Sequence, residues 1–572
     1  MKKYAVLVCA VLAGLILAII GTTPPTPEPA DSDPAAFSAV RAMDDVNIIA
    51  AAPHPTGSEE NAKVRGYIIG RLEALGLEVT TTQGEVPQRS LDRFGHWSGE
   101  TPDQLTLTNI IGILPGSDPD LPAVALMAHH DTVWGSPGAA DDTAGVASIL
   151  ETLRAVKETG TQKRDVIVLI TDGEELGLLG AVQFFAENPL SDRIGALVNL
   201  EARGGGGRAS LFQTSAGNDA AVRIYADAVS RPAGSSLSAF VYETLPNDTD
   251  LTPALKRDYA AYNLAFLGRS GLYHSPKATP ENLDQGALQD MGAQTLSLTM
   301  ALANKDVLPA KSVNRTFFDA FGLLLISYGA AAGWLLLALA AVLQIYVWQV
   351  SEEKTVLRGL GAAAAVLIGG GLALYLLNIV SGAGWGAGSG AGSGAGSGEA
   401  NYYDRLAAIP MLEGQALLVC LAAFAASAPW WAGNRGSAFG VVAAIGLQIS
   451  APTTAYLVVW PLLLSGVAGA IAPKLRGTAG AAVNVIFGGL VIGFLLQYGH
   501  QLMQGVGPSF PSAIAILAAL ALPMLGLLVS TVNRKKAFGA AAICLVLAGA
   551  IALWVRFDPV PDTVAAYESM KG

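Results

Sequence analysis

Cysteine is scarce in this chain. There are three in 572 residues, Cys9, Cys420 and Cys544, each inside an apolar run. Residues 36–310 contain none, which excludes a disulfide framework, a cysteine-bound zinc and a thiol nucleophile there. Charged side chains are also few, 14% of the whole, with a net charge of −11 at pH 7. No cluster of Lys and Arg stands out to meet a phosphate backbone, so nucleic acid is excluded as a partner. The long apolar runs in turn lack ionisable groups. Glu413 and His500 fall near their ends, and Asn378, Asn484 and Gln448 are uncharged. Spans that carry ions or protons hold charged groups in mid-helix, so these runs read as an anchor or scaffold rather than a transport path.

What is abundant is apolar sequence, 52% of all residues, and it is unevenly placed. Residues 1–21 read as an N-terminal transmembrane anchor: Lys2 and Lys3 precede an apolar run from Tyr4 to Ile20, and no small-x-small cleavage pattern follows. Residues 22–35 form a Pro-rich, acidic linker, read as an extended tether. Residues 36–310 have the mixed charge and turn residues of a soluble domain. Residues 315–556 read as a polytopic membrane domain, with spans near 317–349, 357–381, 407–431, 437–450, 452–472, 479–499, 511–531 and 537–555. A Gly/Ala/Ser-rich loop at 382–400 and a tail at 557–572 complete the plan.

Nine spans in all are expected, and basic residues support that count. Lys354, Arg358, Arg435, Lys474, Arg476 and Arg534–Lys536 fall in alternate loops, where a cytoplasmic side would hold them. The soluble domain and the tail then lie outside the cytoplasm. The short loops and the Lys-Lys start suit a bacterial inner membrane facing the periplasm, with an organelle membrane as the alternative.

Within 36–310, helical periodicity covers 36–52 and 59–75, the second capped by Thr56-Gly57-Ser58. Extended segments at 105–114 and 122–129 precede a helix at 142–158, a strand at 166–171, a helix at 177–187 and a strand at 196–201. Alternation of this kind predicts an α/β domain with a mostly parallel central sheet flanked by helices. Such sheets place ligands beyond the carboxyl ends of their strands.

The chemically interesting residues sit at those ends. His129 and Asp131 end one strand, Glu174 and Glu175 follow another, Glu201 ends a third, and His274 lies downstream. Asp141 lies in a Gly/Ala-rich turn just before a helix. Zinc takes His nitrogen and carboxylate oxygen, and a pair of ions about 3.5–4 Å apart needs a bridging carboxylate. Asp141 suits the bridge. His129 and Glu201 could complete one ion, and Glu175 and His274 the other. Three carboxylates against two divalent ions leave +1, which an ionised Glu174 brings to neutrality. Residues two apart in a strand share a face, so Asp131 can orient His129 while His130 points away. Of the pair Glu174-Glu175, one can bind metal while the other accepts a proton from activated water.

Taken in order, His-x-Asp, Gly-Ala-x-Asp-Asp-x-x-Gly, Glu-Glu-x-Gly, a strand-end acid and a late His resemble the di-zinc aminopeptidase family of metallopeptidases. The resemblance implies two Zn²⁺ held by His129, Asp141, Glu175, Glu201 and His274, with Asp141 bridging. It makes Glu174 the general base and Asp131 the residue that positions the first ligand. One N-terminal span, an outside peptidase domain and about eight C-terminal spans resemble the endoplasmic reticulum metallopeptidase and vacuolar membrane protease branch. Soluble members commonly carry Asp where this chain has Glu201.

The implied protein is a membrane-anchored zinc exopeptidase acting on peptides at a lipid bilayer, with aminopeptidase as the first reading. A carboxypeptidase or dipeptidase of the same fold is the alternative, and an inactive membrane scaffold or receptor the rival of another class. Several residues keep plainer readings: His54 as a loop or cap residue, His96 as surface, and Asp142 as a helix-start acid; Asp248 and Asp250 could bind a substrate amine or support the site, but read first as solvated loop acids. Tyr242 and Tyr273 are read as polarising a carbonyl or as packing.

Overall fold

The computed structural model describes residues 4–245, 247–351, 356–383, 402–433 and 438–557. Only the first two residues of the loop 382–400, and only Phe557 of the tail, fall within them.

The soluble half is built on a seven-stranded sheet. Its strands are β1 (Glu78–Glu85), β2 (Thr106–Leu114), β3 (Ala123–His129), β4 (Val166–Thr171), β5 (Ile194–Ala202), β6 (Ser210–Thr214) and β7 (Ala260–Phe266), in the order β1-β2-β4-β3-β5-β7-β6. The four central strands, β4-β3-β5-β7, are parallel, while β1, β2 and β6 join antiparallel at the edges. The sheet is therefore mixed, with the expected parallel centre. The helices expected at 36–52, 59–75, 142–158 and 177–187 run over Ala39–Ile49, Glu59–Ala74, Thr143–Glu158 and Leu179–Glu187.

Central strands buried on both faces need apolar residues at every position. Val124, Leu126 and Ala128 of β3 join one core, beneath the helices 39–49, 143–158 and 285–303. Ala123, Ala125 and Met127 join the other, beneath the helix 179–187. Parallel strands end on one edge, so register decides which carboxyl-end residues meet. His129 pairs with Thr171, and Met127 pairs with Asn199. Continuing that register sets Glu201 beside His129, on the face of the sheet that Met127 and Leu197 share.

The linker 22–35 is held rather than free: the Glu28 backbone N–H donates to Gln289 Oε1 at 2.9 Å, and Ser38 Oγ donates to the Glu28 carbonyl at 2.8 Å. The span expected at 317–349 is divided. Thr316–Ala320 (β8) and Leu324–Tyr328 (β9) form an antiparallel hairpin, and the helix starts at Ala330. An apolar run hid the strand period: Phe317 enters the core of the soluble half, while its neighbour Phe318 enters that of the helical half. Asp319 closes the turn by accepting from the Gly322 N–H at 3.0 Å.

Among the described residues seven helices are long and apolar enough to cross a membrane, or eight if the bent pair Pro511–Leu520 and Leu522–Leu528 is one span. The ninth expected span corresponds to a shorter apolar helix. The segment expected at 437–450 is a helix of 13 residues, which at 1.5 Å per residue falls well short of a hydrocarbon layer about 30 Å thick. The segment expected at 511–531 breaks by 47°. The N-terminal helix Ala5–Thr22 lies along Thr478–Val506 at Gly14, Gly488, Gly489 and Gly493. A Cβ added at Gly14 would meet Ile492 at 2.8 Å. Small residues of this kind let membrane helices approach closely.

Candidate metal centre

Every sequence-predicted site residue lies at the carboxyl edge of the parallel strands. The His129 ring is buried at the end of β3. Its Nδ1 lies 2.9 Å from the Asp131 carbonyl and its Nε2 3.1 Å from Asp141 Oδ1. The other Asp141 oxygen lies 3.2 Å from His274 Nε2, which is also 3.1 Å from Glu175 Oε1. Two donor groups result, His129–Asp141–Glu201 and Asp141–Glu175–His274. In each, the ligand atoms lie within 4.8 Å of one another, and Asp141 belongs to both.

Local structure explains how each side chain is held. Asp142 caps the helix 143–158, accepting from Gly145 N at 3.1 Å, and also accepts from His129 N at 3.2 Å. It is the helix-start acid that was expected, and it ties the Asp141 turn to the end of β3. Asp131 does more than face the His129 ring. Its carboxylate lies 3.5 Å from Nδ1, and accepts from the backbone N–H groups of Glu174 at 3.1 Å and Glu175 at 3.2 Å. One aspartate thus fixes the strand end and the Glu174-Glu175 turn together. His130 points away, with Nε2 3.0 Å from the Thr108 carbonyl and Nδ1 3.2 Å from Asn61 Nδ2.

Among the plainer readings, His96 is exposed, and Asp248 is exposed and accepts from Thr252. His54 is buried, and that burial lowers its pKa to about 4, so it stays neutral. Tyr273 stacks on the His274 ring at 3.8 Å, and Tyr242 packs edge-on against Phe212 at 4.9 Å. Asp250 departs from the first of its two readings, the solvated acid. It is buried, it accepts from the Thr171 hydroxyl, and burial pushes its pKa up to about 6. The missed signal was Thr171, a hydroxyl on the same sheet face as His129.

The electrostatics show a centre short of positive charge. Burial, opposed by His129 and reinforced by neighbouring carboxylates, holds Glu174 and Glu201 well above the ordinary carboxylate range. Glu175 is raised by burial too, against the opposing pull of His274. Burial disfavours a charged His129, yet Asp131 and Asp141 outweigh it and hold the imidazole well above its usual value. Asp141 is pulled down, as the two imidazoles overcome its own burial. Glu201 Oε1 is buried with no hydrogen-bond partner, an arrangement that costs free energy unless a cation meets it. An oxygen- and imidazole-rich donor set of this kind fits zinc.

Residues 109–299 match the profile of peptidase family M28. The chain carries an M28 peptidase domain. It is similar to endoplasmic reticulum metallopeptidase 1 of Homo sapiens, 29% identical over 316 residues, covering 52% of this chain and 34% of the relative. It is also similar to the vacuolar membrane protease of Eremothecium gossypii, 30% identical over 291 residues, covering 49% of this chain and 28% of that one. The matched stretch thus spans about a third of the length of these relatives. Among solved structures, an aminopeptidase from Aneurinibacillus sp. strain AM-1 aligns with 49% of this chain and 97% of its own at 14% identity and TM-score 0.38. A Fimbriiglobus ruber glutaminyl cyclase aligns with 49% and 99% at 18% identity and TM-score 0.38.

Proposed function

We propose that this M28 chain is a membrane-embedded zinc exopeptidase, an aminopeptidase in the first place, with its centre outside the cytoplasm. The observation that carries the reading is the sharing of Asp141 between two donor groups, with Glu174 beside them and left out of both. His129, Asp141 and Glu201 would hold one ion, and Asp141, Glu175 and His274 a second. Bound zinc supplies a Lewis acid that polarises the peptide carbonyl and acidifies water.

The chain's own residues supply the rest. Glu174 takes the proton of the attacking water at its carboxylate and returns it to the leaving nitrogen. Asp131 holds the Glu174 backbone, so the base keeps its place through both transfers. The aminopeptidase reading rests on charge: the acids Glu201 and Asp250 close to Glu174 suit a cationic α-amine better than a carboxylate. That excess of acids disfavours the carboxypeptidase alternative, and the full donor set disfavours an inactive scaffold. Lys2 and Lys3 before the first span favour a cytoplasmic N-terminus, which sets the peptidase domain on the other side.

Full-length protein in detergent tests the reading with peptides bearing free or acetylated N-termini. Release of the first residue only from free peptides is expected. Equal cleavage of acetylated peptides would overturn the aminopeptidase assignment. An alkaline phosphatase reporter joined after residue 35 should be active, and an inactive fusion would overturn the orientation.

A further inference from the structure

The helical half touches the soluble half at the loops that carry the proposed ligands. Arg203, two residues beyond Glu201, donates through Nη1 to the Gly505 carbonyl at 2.8 Å. Ser270, four residues before His274, lies with its hydroxyl 2.9 Å from Gln504 Oε1. Next to it, Gly271 meets the short helix 402–407 so closely that a Cβ there would stand 2.7 Å from Ala407 Cα. Gln504 is itself held in one orientation. Its Nε2 donates to Glu413 Oε1 at 2.9 Å, which leaves Oε1 facing Ser270. Glu413 also pairs with His500 Nδ1 at 2.9 Å. His500 and Gln504 are four residues apart on one helix and share a face, so one helix presents both groups to the carboxylate. Among the described residues Glu413 is the one carboxylate and His500 the one imidazole in the candidate spans, and the chemistry of the metal centre does not use them.

We infer that Gln504, oriented by Glu413, is a positioning residue for the metal centre: it clamps the 270–274 segment and so fixes His274. This inference rests on the peptidase reading above, and it gives the helical half a role beyond anchorage. A ligand set must be held to within a fraction of an ångström to keep its metal, and the groups behind the ligands do much of that holding.

The test uses the full chain in detergent, comparing the parent with Q504L, S270A, the double variant, E413A, E413Q and Q497A. Gln497 lies on the same helix and donates to Asp319 Oδ2 at 2.6 Å, away from the ligand segments, so Q497A reports loss of an inter-domain contact alone. The readouts are the rate of zinc loss to a chelator, the visible spectrum of the cobalt-substituted protein, and thermal midpoint. Q504L and S270A should each speed metal loss about tenfold and alter the cobalt spectrum, in the range known for groups behind metal ligands. The double variant should do no more than either alone, because both remove one contact. E413A should behave like Q504L, and E413Q, which keeps an acceptor for Nε2, should recover most of the parent's retention. Q497A should lower the thermal midpoint while metal loss and spectrum stay as in the parent. If Q504L and S270A hold zinc as the parent does, or if Q497A loses it equally fast, the positioning role is wrong and the peptidase reading stands. A parent that binds no zinc overturns both.

Discussion

Two buried charge clusters in this chain are built in opposite ways. At the first, Arg208 Nε lies 2.6 Å from Asp290, which also accepts from Ala209 N at 3.0 Å. Asp319 nearby accepts from Gly234 N, Gly322 N and Gln497 Nε2. Every carboxylate there has its donors within the protein. At the second, around Asp141, buried acids outnumber the imidazoles and Glu201 Oε1 has no partner. The first cluster pairs its carboxylates with an arginine and backbone N–H groups, and it joins the start of β6, the 285–303 helix, the β8–β9 hairpin and the 478–506 helix. The second has the donor atoms to take cations from outside, which on the proposed reading lets it do chemistry where the first holds structure. What separates the two is the balance of charge: carboxylates paired with an arginine in one, carboxylates in excess over imidazoles in the other.

Substitutions should separate the two. Glu174→Gln should lower turnover by about 10²–10⁴-fold, the usual share of a general base, while zinc content stays at the parent's level. Turnover equal to the parent's would remove Glu174 as the base. Asp290→Ala leaves Arg208 buried without its partner, which costs about 3–5 kcal/mol. Denaturant unfolding should show that loss, with zinc per folded chain unchanged. If Asp290→Ala instead empties the centre at unchanged stability, the two clusters are not distinct in role.

The metal centre should also respond to pH. The pKa values of Glu175, Glu201 and His129 are raised. Stripped of metal, the centre therefore keeps protons at pH values where free side chains have shed them. Zinc takes only the deprotonated groups, so its binding releases those protons and its affinity rises with pH. Calorimetry in two buffers of different ionisation enthalpy should show proton release, and heats independent of buffer would contradict the raised values. The smallest effect is expected far from both clusters. Ser58 caps the helix 59–74 by accepting from Asn61 N at 3.0 Å. Ser58→Ala should cost about 1 kcal/mol and leave turnover alone.

The site was legible because its residues end strands that are apolar throughout. β3, β4 and β5 declare themselves by composition, and parallel register then brings His129, Thr171 and Glu201 to one edge. β1 was not read because Glu-Val-Thr-Thr-Thr-Gln-Gly-Glu lies at an edge and shows little apolar alternation. Its threonines were the available signal. The β8–β9 hairpin was taken into a span because Phe317 and Phe318 both find apolar surroundings, in two different cores. Asp250 was read as solvated because nothing local to residues 247–250 announces Thr171, which reaches it from 79 residues away. The contacts of Arg203, Ser270 and Gly271 with the helical half were likewise beyond any local pattern, since their partners lie more than 100 residues on. The span expected at 437–450 is apolar as read, and the described helix there, 438–450, has 13 residues.

The most direct test of the central claim is the zinc content of the purified full-length chain beside that of Asp141→Asn, with turnover on a free peptide measured on the same samples. The parent should hold two zinc ions per chain and release N-terminal residues. Asp141→Asn, which weakens the one ligand shared by both donor groups, should hold fewer than one and be inactive. A parent without zinc, or an Asp141→Asn variant that keeps two ions and full turnover, would contradict the assignment of this centre.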